Sequence, residues 1–371
     1  MNVIKNRKFN IIYLITSWSY GGAEFQVMHL AEKMLKLGHR VTVISMIKPD
    51  DEFLNLSNKL SIDVLSLGMK KGYPDVRAIS RLLRIIKKLK PHVLHAHMIH
   101  AVFLARISKI FSKKFPRLIS TAHNIDEGGG IRDYFYRYTD FLSSYNTNVS
   151  QVGTDLYIEK GLFSKDKTTF VPNGIELPKK KNKLFTIQPS LKNDKPFIFL
   201  AIGRYNIQKD YPNLVNAVKF LADKNSRKFQ VLIAGDGEGQ ESIQRLIEIE
   251  GLASYFKLLG RRNDIADLIC QADSFVMSSA WEGLPISILE AASHGLPVVV
   301  TNVGGCSEII ENDKNGFLVS PRNSEKLAIS MQKMMNLSEG DRKQMGAYSI
   351  EKIREEYLMD VVVEKWLTLY Q

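Results

Sequence analysis

Glu282-Gly283-Leu284-Pro285-Ile286-Ser287-Ile288-Leu289-Glu290 lies between two apolar runs, Phe275-Val276-Met277 before it and Pro297-Val298-Val299-Val300 after it. The runs have the length and β-branched content of buried strands, and Gly283 and Pro285 mark the turn at which a strand hands over to a helix. Strand, turn, helix and strand in this order make the βαβ unit of a parallel sheet. Glu282 then sits in the turn and Glu290 eight positions on, a little over two turns along the helix. A helix start beside a glycine offers unpaired N–H groups and the positive end of the helix dipole, the usual physical basis for holding a phosphate. On its own, the stretch is equally an ordinary buried strand-turn-helix with two solvated glutamates.

The same alternation of short apolar runs and helical patterns fills the rest of the chain. Downstream of residue 196, strands are expected at 197–202, 229–234, 256–259 and 298–300, with helices near 211–222 and 242–250. Upstream, strands are expected at 11–16, 41–45, 92–97, 118–122 and 168–171. The loop 17–22 leads into a helix with Phe25, Met28, Leu30 and Leu35 apolar and Leu37-Gly38 in C-cap position. Residues 77–90 place Ile79, Leu82, Leu83 and Ile86 on one face and Arg77, Arg81, Arg84 and Lys88 on another, which predicts a basic amphipathic helix. A second, over 101–115 with its basic surface running on to 117, is expected to expose Arg106, Lys109, Lys113 and Lys114. The polar, lysine-rich stretch 178–195 reads as a linker between a first domain over 1–177 and a second over 196–350. Residues 351–371 end an amphipathic segment that carries Tyr357, Trp366, Leu367 and Tyr370, and are expected to form a helix crossing back to the first domain.

At 371 residues, with 44 % hydrophobic and 24 % charged side chains, the chain has the composition of a globular protein of two domains. No apolar run approaches the roughly eighteen residues that span a bilayer, and 11–15 is too short for a secretory signal, so a cytoplasmic location is expected. Cys270 and Cys306 are too few for a disulfide framework or a thiolate zinc site. The net charge of +12 is uneven: residues 1–175 hold 26 Lys/Arg against 14 Asp/Glu, and residues 176–371 hold 25 of each. From Arg77 to Arg117, eleven basic residues occur without one acidic residue. Such a field suits an anionic partner, expected here to be a membrane surface met by the basic helices at 77–90 and 101–117. The second half carries no matching charge, and no nucleic-acid partner is expected.

Four loops in the second half carry a glycine at or just after a strand, Gly203, Gly235, Gly260 and Gly283, and ligands of open parallel sheets bind at the carboxyl ends of strands. Arg204 and Lys209 follow the first of these; two cations there would neutralise a diphosphate, the arginine bidentately. Gly235-Asp236-Gly237-Glu238-Gly239 has the form of a dinucleotide loop, a weak signal by itself. His123 follows the strand 118–122, and His95 and His97 share one strand face, where a metal pair is geometrically possible. No neighbouring carboxylate completes a catalytic zinc site there, and no Asp-x-Asp pair occurs; with the resemblance given below, this implies an enzyme without metal or cofactor. Gly128-Gly129-Gly130 suggests a mobile loop.

In this order the pieces resemble the retaining glycosyltransferases of the GT-B fold, the large family 4 (glycosyl transferases group 1). The second half carries the resemblance on Gly203-Arg204, Lys209, Gly235-Asp236-Gly237, Leu259-Gly260, Glu282 to Glu290, Gly295-Leu296-Pro297-Val298, Gly304-Gly305, Glu308 and Asn315-Gly316. The first half carries it on Gly21-Gly22-Ala23-Glu24, His95-Ala96-His97, His123 and Val171-Pro172-Asn173-Gly174-Ile175. The resemblance implies an α/β protein of two Rossmann-like domains whose parallel sheets face each other across a cleft, with the acceptor on the first and a nucleotide-sugar donor on the second. It implies Arg204 and Lys209 on the donor's diphosphate, where they stabilise the departing charge. Glu282 would hold sugar hydroxyls, Glu290 the ribose, and the backbone about Leu284, Pro285 and Ile286 the phosphates. Gly260 and Arg261 would lie along the base, Gly21 and Gly22 close to the diphosphate, and His123 facing the sugar; Gly203 and Asn173 belong to the same implied donor site.

Retention of configuration comes with the resemblance alone. Glu282 can be drawn as the nucleophile of a double displacement, but the implied roles are binding roles, which favours a front-face route in which the departing phosphate takes the acceptor's proton. The expected function is transfer of a hexose or N-acetylhexosamine from a UDP-sugar to a lipid-linked or glycan acceptor. The setting would be surface polysaccharide, lipopolysaccharide or glycolipid synthesis, by an enzyme peripheral to the inner membrane face. GDP-mannose is the alternative donor, and an epimerase or phosphorylase of the same fold the alternative activity.

Overall fold

The computed structural model describes residues 7–178, 195–224 and 228–371, so most of the expected linker lies outside the described residues. The chain divides into two compact units, one of Met1–Gly174 with Met359–Gln371 and one of Ile175–Leu358. Both are Rossmann-like α/β units built on an all-parallel sheet. The first sheet holds β1 (Asn10–Ile15), β2 (Arg40–Ile47), β3 (Asp63–Met69), β4 (Val93–His97), β5 (Arg117–Ala122), β6 (Tyr145–Asn148) and β7 (Thr168–Phe170), in the order β3-β2-β1-β4-β5-β6-β7. The second holds β8 (Phe197–Ile202), β9 (Phe229–Ala234), β10 (Phe256–Gly260), β11 (Ser274–Met277), β12 (Val298–Thr301) and β13 (Gly316–Val319), in the order β10-β9-β8-β11-β12-β13. Each order reverses beside its first strand, between β1 and β4 and between β8 and β11. At such a reversal the crossover helices leave to opposite faces, and a crevice opens at the carboxyl edge.

Central strands covered by helices on both faces read as continuous apolar runs. Ile11 to Ile15 of β1 and Val298 to Val300 of β12 are fully buried, and both are plain in the sequence. Other strands are harder to read. The edge strand β3 is largely exposed, β13 has four residues, and β6 is buried but polar. In β6, Asn146 accepts from Arg106 at 2.7 Å and donates to Asp140 at 2.7 Å, and the Thr147 hydroxyl bonds that of Thr121 at 2.6 Å.

Arg106 corrects the sequence reading. Instead of lying exposed on a basic helix, it is fully buried on the helix Ile99–Ile110. Its guanidinium donates to Ser143 Oγ (2.9 Å), the Tyr136 carbonyl (3.0 Å), Thr139 Oγ1 (3.1 Å) and Asn146 Oδ1, with Asp140 at 3.7 Å. A buried charge needs such a full set of partners. Burial still pulls its pKa down to about 10, against the pull of Asp140. The helix also stops short of its expected end: Lys113 and Lys114 follow it, and Arg117 opens β5.

The last segment is two helices, Glu339–Lys352 and Met359–Tyr370, separated by a π turn at Ile353–Tyr357 and the extended Leu358. Met359, Val362, Trp366 and Tyr370 join Phe9, Ile11 and Tyr13 in one apolar cluster on the first sheet. The chain leaves the first unit after Gly174 and returns at Met359. At the crossing the Ile175 N–H donates to the Tyr357 carbonyl at 2.9 Å, and a Cβ on Gly174 would stand 3.0 Å from Met359 Sδ. Among the described residues, no helix is long and apolar enough to cross a membrane.

Candidate active site

In the second unit, the loops after β8 and β11 flank the sheet reversal and are sewn together. Ala280 N–H donates to the Gln208 carbonyl (2.8 Å), Ser278 Oγ to the Lys209 carbonyl (2.9 Å) and the Tyr211 hydroxyl to the Gly203 carbonyl (3.0 Å). This frame holds Glu282, only 6 % exposed, against three donors: Lys209 Nζ at 2.7 Å and Ser279 Oγ at 2.8 Å on one oxygen, Gln208 Nε2 at 3.0 Å on the other. A carboxylate accepts about four hydrogen bonds, so one position remains open, and the lysine keeps donors to spare.

Glycines make that geometry possible. A Cβ on Gly203 would stand 2.6 Å from Lys209 Cε, so the missing side chain is the channel through which the lysine stem passes. Gly304 has φ +53°, and its Cβ would fall 2.2 Å from the Glu282 carbonyl oxygen, while Gly305 N–H donates to the Gly283 carbonyl at 2.7 Å. The cluster from Gly235 to Gly239 has the same kind of duty. A Cβ on Gly235 would lie 2.0 Å from the Gly203 carbonyl oxygen, and one on Gly237 would lie 2.9 Å from the Tyr205 backbone. These glycines pack the loop that carries Arg204.

Arg204 is exposed, and its side chain makes no hydrogen bond or ion pair among the described residues. Arg261 is paired with Asp236 at 2.7 Å, and the carbonyl of Gly260 (φ +64°) accepts from Gly235 N–H at 2.9 Å. Past the Glu282 turn, Leu284 and Pro285 are buried and Pro285 caps the helix Ile286–Ser293. The first-turn amides, those of Ile286 and Ser287, have no intrahelical acceptor. Glu290, eight positions after Glu282 but only about one turn into the helix, is half-buried with no hydrogen-bond partner for its carboxylate among the described residues, and burial pushes its pKa up to about 7.

The first unit's carboxyl edge is different in kind. Gly21, in extended conformation, precedes the helix Gly22–Lys36 beyond β1, and Asn173 is buried at the end of the unit. On β4, His95 bonds the Tyr370 hydroxyl through Nδ1 at 2.8 Å and Thr121 Oγ1 through Nε2 at 2.6 Å, so both its nitrogens serve the fold. Its ring stacks on His97 with centroids 3.9 Å apart and lies 4.4 Å from Trp366. Among the described residues no three His, Cys, Asp or Glu side chains are grouped to hold a metal. His97 Nδ1 meets His123 Nε2 at 2.9 Å, and His97 Nε2 is buried without a partner. Burial holds all three imidazoles neutral, His123 down to about 4. A buried, unpaired N–H costs more than an unused acceptor, so the proton of this pair belongs on His97 Nδ1; His123 accepts it and keeps its own Nδ1–H as a donor. The His123 backbone is fixed in turn by Glu127, which accepts from His123 N–H at 2.9 Å and from the Tyr136 hydroxyl at 2.6 Å. Gly128, Gly129 and Gly130 follow, all with positive φ, a conformational reason for the glycine run.

Two family models divide the chain: Glycosyltransferase Family 4 matches residues 20–179, and Glycosyl transferases group 1 matches residues 182–352. The chain belongs to the GT-B glycosyltransferases. This glycosyltransferase is 27 % identical over 316 residues to the UDP-Gal:alpha-D-GlcNAc-diphosphoundecaprenol alpha-1,3-galactosyltransferase of Escherichia coli, covering 78 % of this chain and 81 % of the relative. It is 24 % identical over 320 residues to the phosphatidylinositol N-acetylglucosaminyltransferase GPI3 subunit of Saccharomyces cerevisiae, covering 82 % and 70 %. The crystal structure of Anabaena Alr3699/HepE in complex with UDP-glucose superposes with a TM-score of 0.81 at 19 % identity, covering 97 % of this chain and 99 % of the other.

For this glycosyltransferase, the residues expected on the second half, Gly203, Arg204, Lys209, Gly260, Arg261, Glu282, Leu284, Pro285, Ile286 and Glu290, all stand on the carboxyl side of the second sheet. Gly21, Gly22, His123 and Asn173 belong to the first unit. Sequence reasoning missed Gln208 and Ser279, the other two partners of Glu282, and His97 as the partner of His123. The first two were within reach: Gln208 adjoins Lys209, and Ser279 lies three positions before Glu282.

Proposed function

We propose that this enzyme transfers a hexosyl or N-acetylhexosaminyl group, with retention, from a UDP-sugar to a lipid-linked acceptor in surface polysaccharide or glycolipid synthesis, at the inner face of a membrane. The observation that carries the reading is the pair of glutamates. Glu282 is held by Lys209, Gln208 and Ser279 with one acceptor position left for a sugar hydroxyl, and Glu290 stands free, about one turn into the helix that follows, to accept the two hydroxyls of a ribose. Between them the helix start offers amides to the diphosphate, and Lys209 and Arg204 supply positive charge as the diphosphate departs.

A nucleophile needs a free lone pair aimed at carbon; one oxygen of Glu282 is shared by Lys209 and Ser279, the other is bonded to Gln208, and the one position left open is assigned here to a sugar hydroxyl, which favours front-face transfer. Cationic side chains doing this work leave no task for a divalent ion, and turnover is expected to survive EDTA. His123 acts as a neutral donor to a sugar oxygen rather than as a base. The UDP preference draws on the E. coli relative, named for UDP-Gal, and on Alr3699/HepE, solved with UDP-glucose. The lipid-linked acceptor draws on the diphosphoundecaprenol in that relative's name.

The test is thermal unfolding with UDP, GDP and their sugars, since a ligand held only by the folded state raises its melting temperature. UDP and a UDP-sugar should raise it in the wild type and raise it less in Glu290→Ala at the same subsaturating ligand concentration. A shift with GDP and GDP-mannose alone would move the reading to a mannosyltransferase; no shift with any nucleotide would remove it.

A further inference from the structure

The first unit exposes a run of large apolar side chains along one face of the helix Ile131–Thr139 and the turn after it: Ile131 is 74 % exposed, Tyr134 60 %, Tyr138 67 % and Phe141 74 %. The spacing of three, four and three residues keeps them on one side. This is not a frayed end. The opposite side of the helix is anchored: Tyr136 is buried and bonded to Glu127, Phe135 meets Phe103 with centroids 3.8 Å apart, and Arg106 grips the Tyr136 carbonyl and Thr139 from within. The outward rings are ordered against each other, Tyr134 and Tyr138 lying parallel with centroids 6.0 Å apart. The neighbouring helix Ile99–Ile110 extends the patch through Ile110 and Phe111, both exposed, and Lys109 ties that end to the Leu142 carbonyl at 2.7 Å.

The rim of the patch is positive. Lys113 and Lys114 come two and three positions after Phe111 and Arg137 stands on the aromatic helix, all exposed, and the basic helix Arg77–Leu89 also packs on Ile99–Ile110. Large apolar patches on a folded surface mark interaction sites. Rigid tyrosines and phenylalanines with a cationic margin are the composition that settles at the headgroup level of a bilayer, the rings among the glycerol groups and the lysines on the phosphates.

We propose that the face formed by Tyr134, Tyr138, Phe141, Ile110 and Phe111 is where the first unit enters the interfacial zone of an anionic membrane. The basic margin decides between a bilayer and a second copy. A two-fold self-contact lays the same patch on itself and brings Lys113 and Lys114 of each copy toward like charge, whereas an anionic leaflet complements them. This inference rests on the reading of a lipid-linked acceptor, and gives that reading a docking surface centred on aromatic residues rather than on the cations alone.

The experiment is flotation of the full chain with vesicles of phosphatidylcholine, with and without about one third phosphatidylglycerol. The wild type should float with the anionic vesicles. Tyr134→Ser/Tyr138→Ser/Phe141→Ser should lose about tenfold or more in partitioning at constant salt, and Lys113→Glu/Lys114→Glu a comparable amount at low salt only. Tyr138→Trp should give an indole whose emission shifts to the blue and is quenched by lipids brominated near the headgroup. Unchanged flotation of the triple variant overturns the proposal. So does a wild-type dimer in sedimentation that the triple variant converts to monomer, or oligonucleotide binding lost with the same three rings. The melting-temperature rise with UDP is measured on every variant: if it persists while flotation is unaffected, the docking surface is wrong and the donor reading stands; if it is absent in the wild type, the donor reading fails whatever the vesicles do.

Discussion

At the carboxyl edge of the second sheet, charge is kept and paired: Lys209 lies on Glu282, Arg204 is open to solvent, and Glu290 waits without a partner. At the matching edge of the first sheet, charge is removed: His95, His97 and His123 are stacked, hydrogen-bonded and held neutral by burial. The topology is the same on both sides, with the sheet order reversing beside the first strand. The lesson is that the fold supplies a crevice and leaves its chemistry to a few side chains at the strand ends. In the reading proposed above, one edge would receive an anion whose charge grows during the reaction, and the other would offer hydrogen bonds from imidazoles that are neutral near pH 7.

The charged edge can be broken most severely. Glu282→Ala leaves Lys209 uncompensated in a half-buried site and Lys209→Ala does the reverse; each should lower kcat/KM by about 10²–10³-fold. The double variant should lose little more than either single one, as coupled residues do. Steady-state kinetics on the four proteins checks this, and additive losses would mean that the ion pair is not one device. At the neutral edge the largest effect is on folding. Trp366→Ala removes the ring that covers His95 and should cost about 3–5 kcal/mol in urea unfolding.

A smaller effect separates the histidines. His97→Ala frees His123 Nε2 and should lower kcat by about tenfold, the worth of one hydrogen bond with some loss of orientation, while KM for the donor changes little. His97→Asn, which returns a donor near the Nδ1 position, should recover much of the loss. The histidines also give the first unit a pH dependence. Their folded-state pKa values lie below the ordinary 6.5, so the unfolded chain takes up protons first. Their contribution is complete above about pH 6.5 and shrinks as pH falls toward 4, which unfolding curves at several pH values would detect. The smallest effect belongs to Glu290. A carboxylate raised to about 7 must ionise to accept ribose hydroxyls well, so UDP affinity should rise a few-fold as pH climbs through 7 and be flat in Glu290→Gln.

Much of the second edge was legible in the sequence because its residues are local: a glycine turn, a helix start and two acids eight positions apart announce themselves within one βαβ unit. The first edge was less legible because its bonds are distant. His95 meets Tyr370 across 275 positions and His97 meets His123 across 26, and nothing in either histidine's neighbourhood names the partner. Arg106 failed for the same reason. Helical spacing places it among surface lysines, and only the polar β6 and Asp140 make its burial tolerable. The glycine cluster after β9 is ambiguous for another reason: its local form suggests a ligand loop, while the close approach to Gly203 and Tyr205, which by itself requires glycine, is invisible in the sequence.

The return of Met359–Gln371 to the first unit sets an order of events during synthesis. Tyr13 emerges from the ribosome long before Tyr370, yet their hydroxyls lie 3.2 Å apart in one apolar cluster. All of Ile175–Leu358 is translated in between, roughly ten to forty seconds of elongation. For that interval the face that the helix Gly22–Lys36 covers lacks the part of its cover supplied by Met359–Tyr370, so the nascent chain exposes an apolar surface that a holding chaperone would recognise, and ribosome-bound chains stopped before Met359 should be more protease-sensitive in the first unit than released ones.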